Sequence, residues 1–318
     1  MFRRIVIPWD TSTHAPSTQQ DTLALARSIA HRTGAAIVLA HIIPLPGDSA
    51  KDTEERAAVE RMAQRLRDLG LDAEAVVESG PIAEGILRVA QQTRADLVAL
   101  TPHQRGLLEG IWRPDIVGQL FAELSLPAIL TPPTATPGSA AQRSIHLLSD
   151  PVASVIVPLD GSELAERALP YALAFAEEYH RPLLLVRVVK PIVLYLTAET
   201  SAFLVETDEE NEHEALRYLR DTRKRLAQQA AQPVQTTLRI GQPADEIRQL
   251  FEAHPGSLLV MSTHGRTGMT RAVAGSVATA VMRHALGPML IIPPHCPPLA
   301  HEHTVATAHT DAPTTQGN

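Results

Sequence analysis

Residues 258–285, LLVMSTHGRTGMTRAVAGSVATAVMRHA, combine the groups that an anion site needs. An apolar run stops at Ser262, Gly265 and Gly268 follow, and Gly275-Ser276 opens an amphipathic segment. Glycines let backbone N–H groups come close to a ligand. A helix N-terminus adds unpaired N–H donors and a dipole that favours negative charge. Gly275 and Ser276 stand where that helix begins, and Arg266 and Arg271 can add positive charge. Together they describe a cradle for a polyphosphate; the same residues also suit a tight strand-to-helix connection that holds nothing. The loop is not a Walker loop, since no Gly-Lys-Ser/Thr follows, and its spacing differs from the dinucleotide fingerprint. A second chemical group, Asp160, ends another apolar run, SVIVPLD, two residues after Pro158.

Elements must bring these groups together, and the chain writes its elements twice. RRIVIPWD near the start is echoed by ASVIVPLDGS, so that Asp10 and Asp160 end equivalent strands. At one later offset Gly80 matches Gly241, Ala83 matches Ala244, His103 matches His264 and Pro127 matches Pro288. An internal repeat of this kind changes the reading of the whole fold. The division it suggests is a first domain over 1–133, a Pro/Ser/Thr/Ala-rich linker over 134–151, a second domain over 152–294, and a disordered tail over 295–318. In the second half the apolar runs 154–159, 183–189, 234–240, 257–262 and 288–292 read as strands buried on both faces. Between them lie amphipathic helices; the one beginning near Ser162 contains Pro170, which should kink it. Strands alternating with helices predict an α/β fold with a parallel, doubly wound sheet. Such sheets take ligands beyond the carboxyl ends of their strands, where Asp160 and the glycine loop both fall.

Composition removes several function classes. The net charge of −7 and an aromatic content of 3% give neither the positive field nor the stacking platforms of a nucleic-acid binder. The single cysteine, Cys296, rules out a disulfide within the chain and a Cys-based metal motif. No window has the apolar length of a membrane span, so no membrane partner is expected and the default location is cytoplasmic. The scattered histidines after Pro294 read as a solvated tail.

The segment STHGRTGMTRAVAGSVA resembles the signature of the universal stress protein family. In ATP-binding members that signature is Gly, two residues, Gly, nine residues, then Gly-Ser/Thr. Here Gly265, Arg266 to Ala274 and Gly275-Ser276 fit, while Ser262 stands at the first glycine. VIVPLDGS and LLLVRVVK resemble the family's first two strands, and the likeness covers roughly 1–133 and 152–294. The resemblance implies two tandem five-stranded parallel sheets of order 3-2-1-4-5, of the adenine nucleotide alpha-hydrolase type. It also implies pairing through the last strands, either between the two halves or in a homodimer. It implies an adenine nucleotide, ATP with or without Mg²⁺, as ligand. Asp160 would contact the adenosine part, Pro158 would shape the same wall, and the Val188 backbone would meet the adenine edge. Gly265, Gly275, Ser276 and Val277 would line the phosphates, with Gly268 beside them.

The first half departs from that pattern. Gln104 replaces Gly265, and Pro114-Asp115 replaces Gly275-Ser276, removing one N–H and placing a carboxylate where phosphates would sit. This half is expected not to bind nucleotide. His103 and His264 have no nucleophile, base and orienter around them and read as structural. No water-activating base or metal ligand is identifiable, nor a pyrophosphatase loop or flavin fingerprint. The expectation is an ATP-binding regulatory protein of the stress response with no catalytic residues and at most slow hydrolysis. The alternative is a dimeric interaction module of the same fold that binds no nucleotide.

Overall fold

The structure is a computed structural model, and it describes residues 1–11, 18–44, 49–101, 120–131, 152–195, 203–206, 209–263, 275–283, 287–297 and 299. In the first half the elements are β1 (Arg4–Pro8), α1 (Thr18–Thr33), β2 (Ala36–Ile43), α2 (Ser49–Asp68), β3 (Ala73–Ser79), α3 (Ile82–Gln92), β4 (Leu97–Leu100) and β5 (Ala128–Leu130). The second half opens with β6 (Val155–Leu159), α4 (Glu163–Glu166), α5 (Ala168–Glu178) and β7 (Leu183–Val189). A hairpin, β8 (Ile192–Tyr195) and β9 (Phe203–Glu206), comes next. The half closes with α6 (Glu209–Ala227), β10 (Val234–Ile240), α7 (Pro243–Ala253), β11 (Leu258–Ser262), α8 (Ser276–Arg283) and β12 (Met289–Ile292).

Ten strands form one sheet of order β10-β7-β6-β11-β12-β5-β4-β1-β2-β3. Each half therefore contributes five strands in the order 3-2-1-4-5, all parallel within the half. The halves meet where β12 runs antiparallel to β5, pairing Met289 with Leu130 and Ile291 with Ala128. The central strands β2, β4, β11 and β12 are buried along their whole lengths. Helices cover both faces of a parallel sheet, which is why these runs are apolar without alternation.

On one face the two halves share a core. Phe2 stacks on Tyr171 with ring centroids 6.5 Å apart, and Phe175 stacks on Tyr179 at 5.9 Å. The Tyr179 hydroxyl meets Ser28 at 3.3 Å, and Arg32 lies 4.6 Å over the Tyr179 ring. Burial raises Tyr179 to about 12, against the smaller opposing effects of Ser28 and Arg32.

Two local expectations change. The segment after Ser162 is not one kinked helix but two, α4 and α5, which meet at Arg167. Pro170 lacks the N–H that would bond the carbonyl of Glu166, so a break falls there and Pro170 sits in the first turn of α5, where no such bond is needed. The chain also stays ordered just beyond Pro294, where the tail was expected to begin. Cys296 is 5% exposed, the Tyr171 hydroxyl lies 3.0 Å from its Sγ, and that hydroxyl donates to the Pro297 carbonyl at 2.8 Å. Residues 301–318 and the linker 134–151 lie outside the described residues.

Candidate functional site

The carboxyl ends of β6, β7 and β11, together with the start of α8, enclose a cleft of about 410 Å³. Pro158 and Asp160 come to it from the end of β6, and Val188 from β7. Gly275, Ser276 and Val277 come from the start of α8. Six residues singled out in the sequence thus border one space. Gly265 and Gly268, with Arg266 and Arg271, lie outside the described residues.

Each position has a local cause. Asp160 ends β6 and folds back on the turn behind it: Ser162 donates to Oδ1 through its backbone N–H at 2.9 Å and its hydroxyl at 2.6 Å. The same Ser162 oxygen accepts from the Ala165 N–H at 3.1 Å, capping α4. Gly161 between them has φ of +82°, a left-handed conformation that glycine adopts without steric cost. Alternation along β7 sets the direction of Val188. The Pro182 carbonyl accepts from Val155 of β6, and the Val189 carbonyl accepts from Gly241 beside β10. The Val188 carbonyl therefore faces the β6 side, one residue beyond the last β6 partner, Arg187. At the far wall the Gly275 N–H donates to the Thr263 carbonyl at 2.7 Å, and the Gly275 carbonyl accepts from Thr279 at 2.9 Å. The first bond closes the base of the glycine loop; the second starts α8. The residues of its first turn line the cleft, and a helix N-terminus favours an anion.

The wall contains residues that the sequence did not announce. Pro243 and Ile247 stand four apart on α7 and supply an apolar side, with Met261 from β11. Lys190 and Asn211 flank the β8–β9 hairpin and line the mouth. Arg187, 8% exposed, lies beneath the Asp160 turn, with its guanidinium 5.7 Å from the centre of the Tyr218 ring. Burial first, and then the Glu166 carboxylate to which it donates at 2.8 Å, push the Tyr218 hydroxyl above the ordinary tyrosine range. Ser262, at the first glycine of the signature, is buried at the end of β11. Among the described residues no group of three or more His, Cys, Asp or Glu could hold a metal ion, and no helix is long and apolar enough to cross a membrane.

Known proteins agree with this architecture. Universal stress protein MJ0531 of Methanocaldococcus jannaschii is 33% identical over 141 residues, which cover 43% of this chain and 80% of that protein. Universal stress protein YxiE of Bacillus subtilis is 27% identical over 144 residues, covering 43% of this chain and 97% of the relative. A solved universal stress protein from Archaeoglobus fulgidus shares the fold over 92% of this chain and 98% of its own, with a TM-score of 0.64 at 16% identity. The sequence profile of the Universal stress protein family matches residues 1–131 and again 152–293, and the chain therefore belongs to that family.

Proposed function

We propose that the cleft of the second half binds an adenine nucleotide, with ATP as its ligand, and that the chain acts as an ATP-responsive regulator rather than as an efficient enzyme. The observation that carries this reading is the convergence of Pro158, Asp160, Val188, Gly275, Ser276 and Val277 on one cleft of about 410 Å³. Pockets that enclose small ligands typically measure about 300–1,000 Å³, so the size fits.

The three parts of ATP have matching walls. Val188 offers a carbonyl acceptor to the adenine amino group, with Pro158, Ile247 and Met261 as apolar contacts. Asp160 stands at the ribose, its carboxylate held by Ser162. The phosphates run to Gly275, Ser276 and Val277, where N–H groups, the Ser276 hydroxyl and the α8 dipole favour negative charge. Mg²⁺ accompanying ATP would be held by the phosphates, where it would offset their charge.

Purified protein that has seen no added nucleotide is denatured, and the supernatant is chromatographed for adenine nucleotide. The reading expects about one equivalent per chain in wild type, or a rise in melting temperature with millimolar ATP, and neither in Gly275→Asp. A wild-type protein that is empty and does not respond to ATP would replace it with an interaction module of the same fold.

A further inference from the structure

We infer that Arg187 is a positioning residue of this cleft: it fixes the Leu159–Gly161 turn so that the Asp160 carboxylate meets the nucleotide ribose. The inference rests on the nucleotide reading above. Arg187 pairs with Leu159 across β6 and β7, and its Nη1 donates to the Leu159 carbonyl at 3.5 Å. Beside it the guanidinium packs closely on the turn. A Cβ on Gly161 would stand 3.2 Å from Nη1 and 3.6 Å from Cζ and Nη2. The guanidinium therefore closes directly on the turn backbone.

The far side of the guanidinium is held as well. It lies over the Tyr218 ring of α6, and the Tyr218 hydroxyl donates to Glu166 Oε1 at 2.8 Å. Arg225, two turns further along the same face of α6, donates to the other Glu166 oxygen at 2.6 Å. Glu166 ends α4, the helix that Ser162 caps, and Ser162 is the residue that holds Asp160. The contacts make a closed ring: Arg187, the turn, Asp160, Ser162, Glu166, Tyr218 and back to Arg187. A charged side chain is seldom buried without a specific role for its charge. An arginine here supplies a rigid planar fork that an apolar residue of the same volume lacks.

The first half shows that this position has one geometric task. Strand registers place His41 where Arg187 stands, and His41 Nδ1 lies 2.9 Å from the Trp9 carbonyl, the equivalent of Leu159. Its Nε2 is anchored by Glu55 of α2 at 3.2 Å. Both halves thus anchor a helix-packed ring nitrogen or guanidinium to the carbonyl just before the aspartate at the strand end.

The test titrates ATP and 2′,3′-dideoxy-ATP into the full chain by calorimetry, with wild type, Arg187→Met, Arg187→His, Asp160→Asn and the Arg187→Met/Asp160→Asn double variant. Loss of one oriented, charge-assisted hydrogen bond corresponds to about tenfold in affinity. Arg187→Met is expected to weaken ATP by about that factor, yet to bind dideoxy-ATP within about twofold of wild type. The double variant should bind ATP no worse than Asp160→Asn, and Arg187→His should recover part of the loss. Equal losses for both ligands, additive losses in the double variant, or no loss would each overturn the inference. If Arg187→Met does not fold, Tyr218→Leu removes the surface under the guanidinium and must show the same split between ligands. A wild type that binds neither ligand overturns the nucleotide reading, and this inference with it.

Discussion

The two halves repeat the same strand order, yet they differ at the tips of equivalent strands. In the second half β7 ends at Val188 and Val189, and a cleft remains between Val188, Pro243, Ile247 and Val277. In the first half the matching residue of β2 is Ile42, 8% exposed and packed down on α3 at Gly85. A Cβ on Gly85 would stand 2.8 Å from Ile42 Cγ2, so the larger side chain fits only because glycine faces it. At the matching place on α7 stands Glu246. The acid at the end of the first strand differs too. Asp160 accepts twice from Ser162, whereas around Asp10 it is the backbone N–H and carbonyl that meet the Gln19 side chain, at 3.4 and 3.3 Å. The connection after the second strand is residues 44–48 in the first half and 190–208 in the second, where it carries the hairpin. The two halves share their buried strands in the same order and differ at the strand tips. A fold and a site are separable in this way.

The largest test of that contrast is at the phosphate end. Gly275→Asp sets a carboxylate at the start of α8, one residue before the position that Asp115 holds in the first half, and is expected to lower ATP affinity by about a hundredfold in calorimetry, as for loss of charge-assisted contacts plus repulsion. A residual affinity within a factor of a few would break the comparison. Next is packing. Ile42→Ala should cost about 2–5 kcal/mol in urea unfolding, as for a buried isoleucine. Val188→Ala, at the edge of an open cleft, should cost well under half of that. Gly85→Ala should destabilise by about 1–3 kcal/mol through overpacking, despite alanine's better helix propensity. Ser162→Ala removes the α4 cap and should cost about 1 kcal/mol, with a loss of ATP affinity that no cap deletion in the first half produces.

A further effect concerns the seam between the halves. Burial holds the Tyr179 phenol neutral up to about 12 in the fold. In the unfolded chain tyrosine titrates near 10. The raised value means that the stabilisation is complete below the unfolded value and is lost as pH rises through the folded one. Stability should therefore fall between about pH 10 and 12, and Tyr179→Phe should flatten that fall in a pH series of melting temperatures.

Much of the fold was legible because buried parallel strands are written as unbroken apolar runs: SVIVPL, LLLVRVV and PMLII mark β6, β7 and β12 to within a residue or two. The hairpin was not legible. Seven of its eight strand residues, IVLY and FLVE, are apolar, but they pair only with each other and no repeat partner in the first half pointed to them. Pro170 warned of a disturbed helix, while the break at Arg167 depends on which carbonyl loses its donor. At the site, Asp160, Val188, Gly275 and Ser276 stood out by motif. Arg187 did not, because its contact with Gly161 comes from strand register across 26 positions of sequence. The Ile42–Gly85 fit arises likewise from a strand and a helix meeting, which neither segment reveals alone.

The most direct measurement of the central claim is ATP binding stoichiometry by calorimetry on three full-length proteins: wild type, Gly275→Asp in the second half and Asp10→Ala in the first. The account predicts one ATP per chain in wild type, an affinity about a hundredfold lower in Gly275→Asp, and one ATP with unchanged affinity in Asp10→Ala. Two ATP per chain, or a single site that survives Gly275→Asp and is lost in Asp10→Ala, would contradict it.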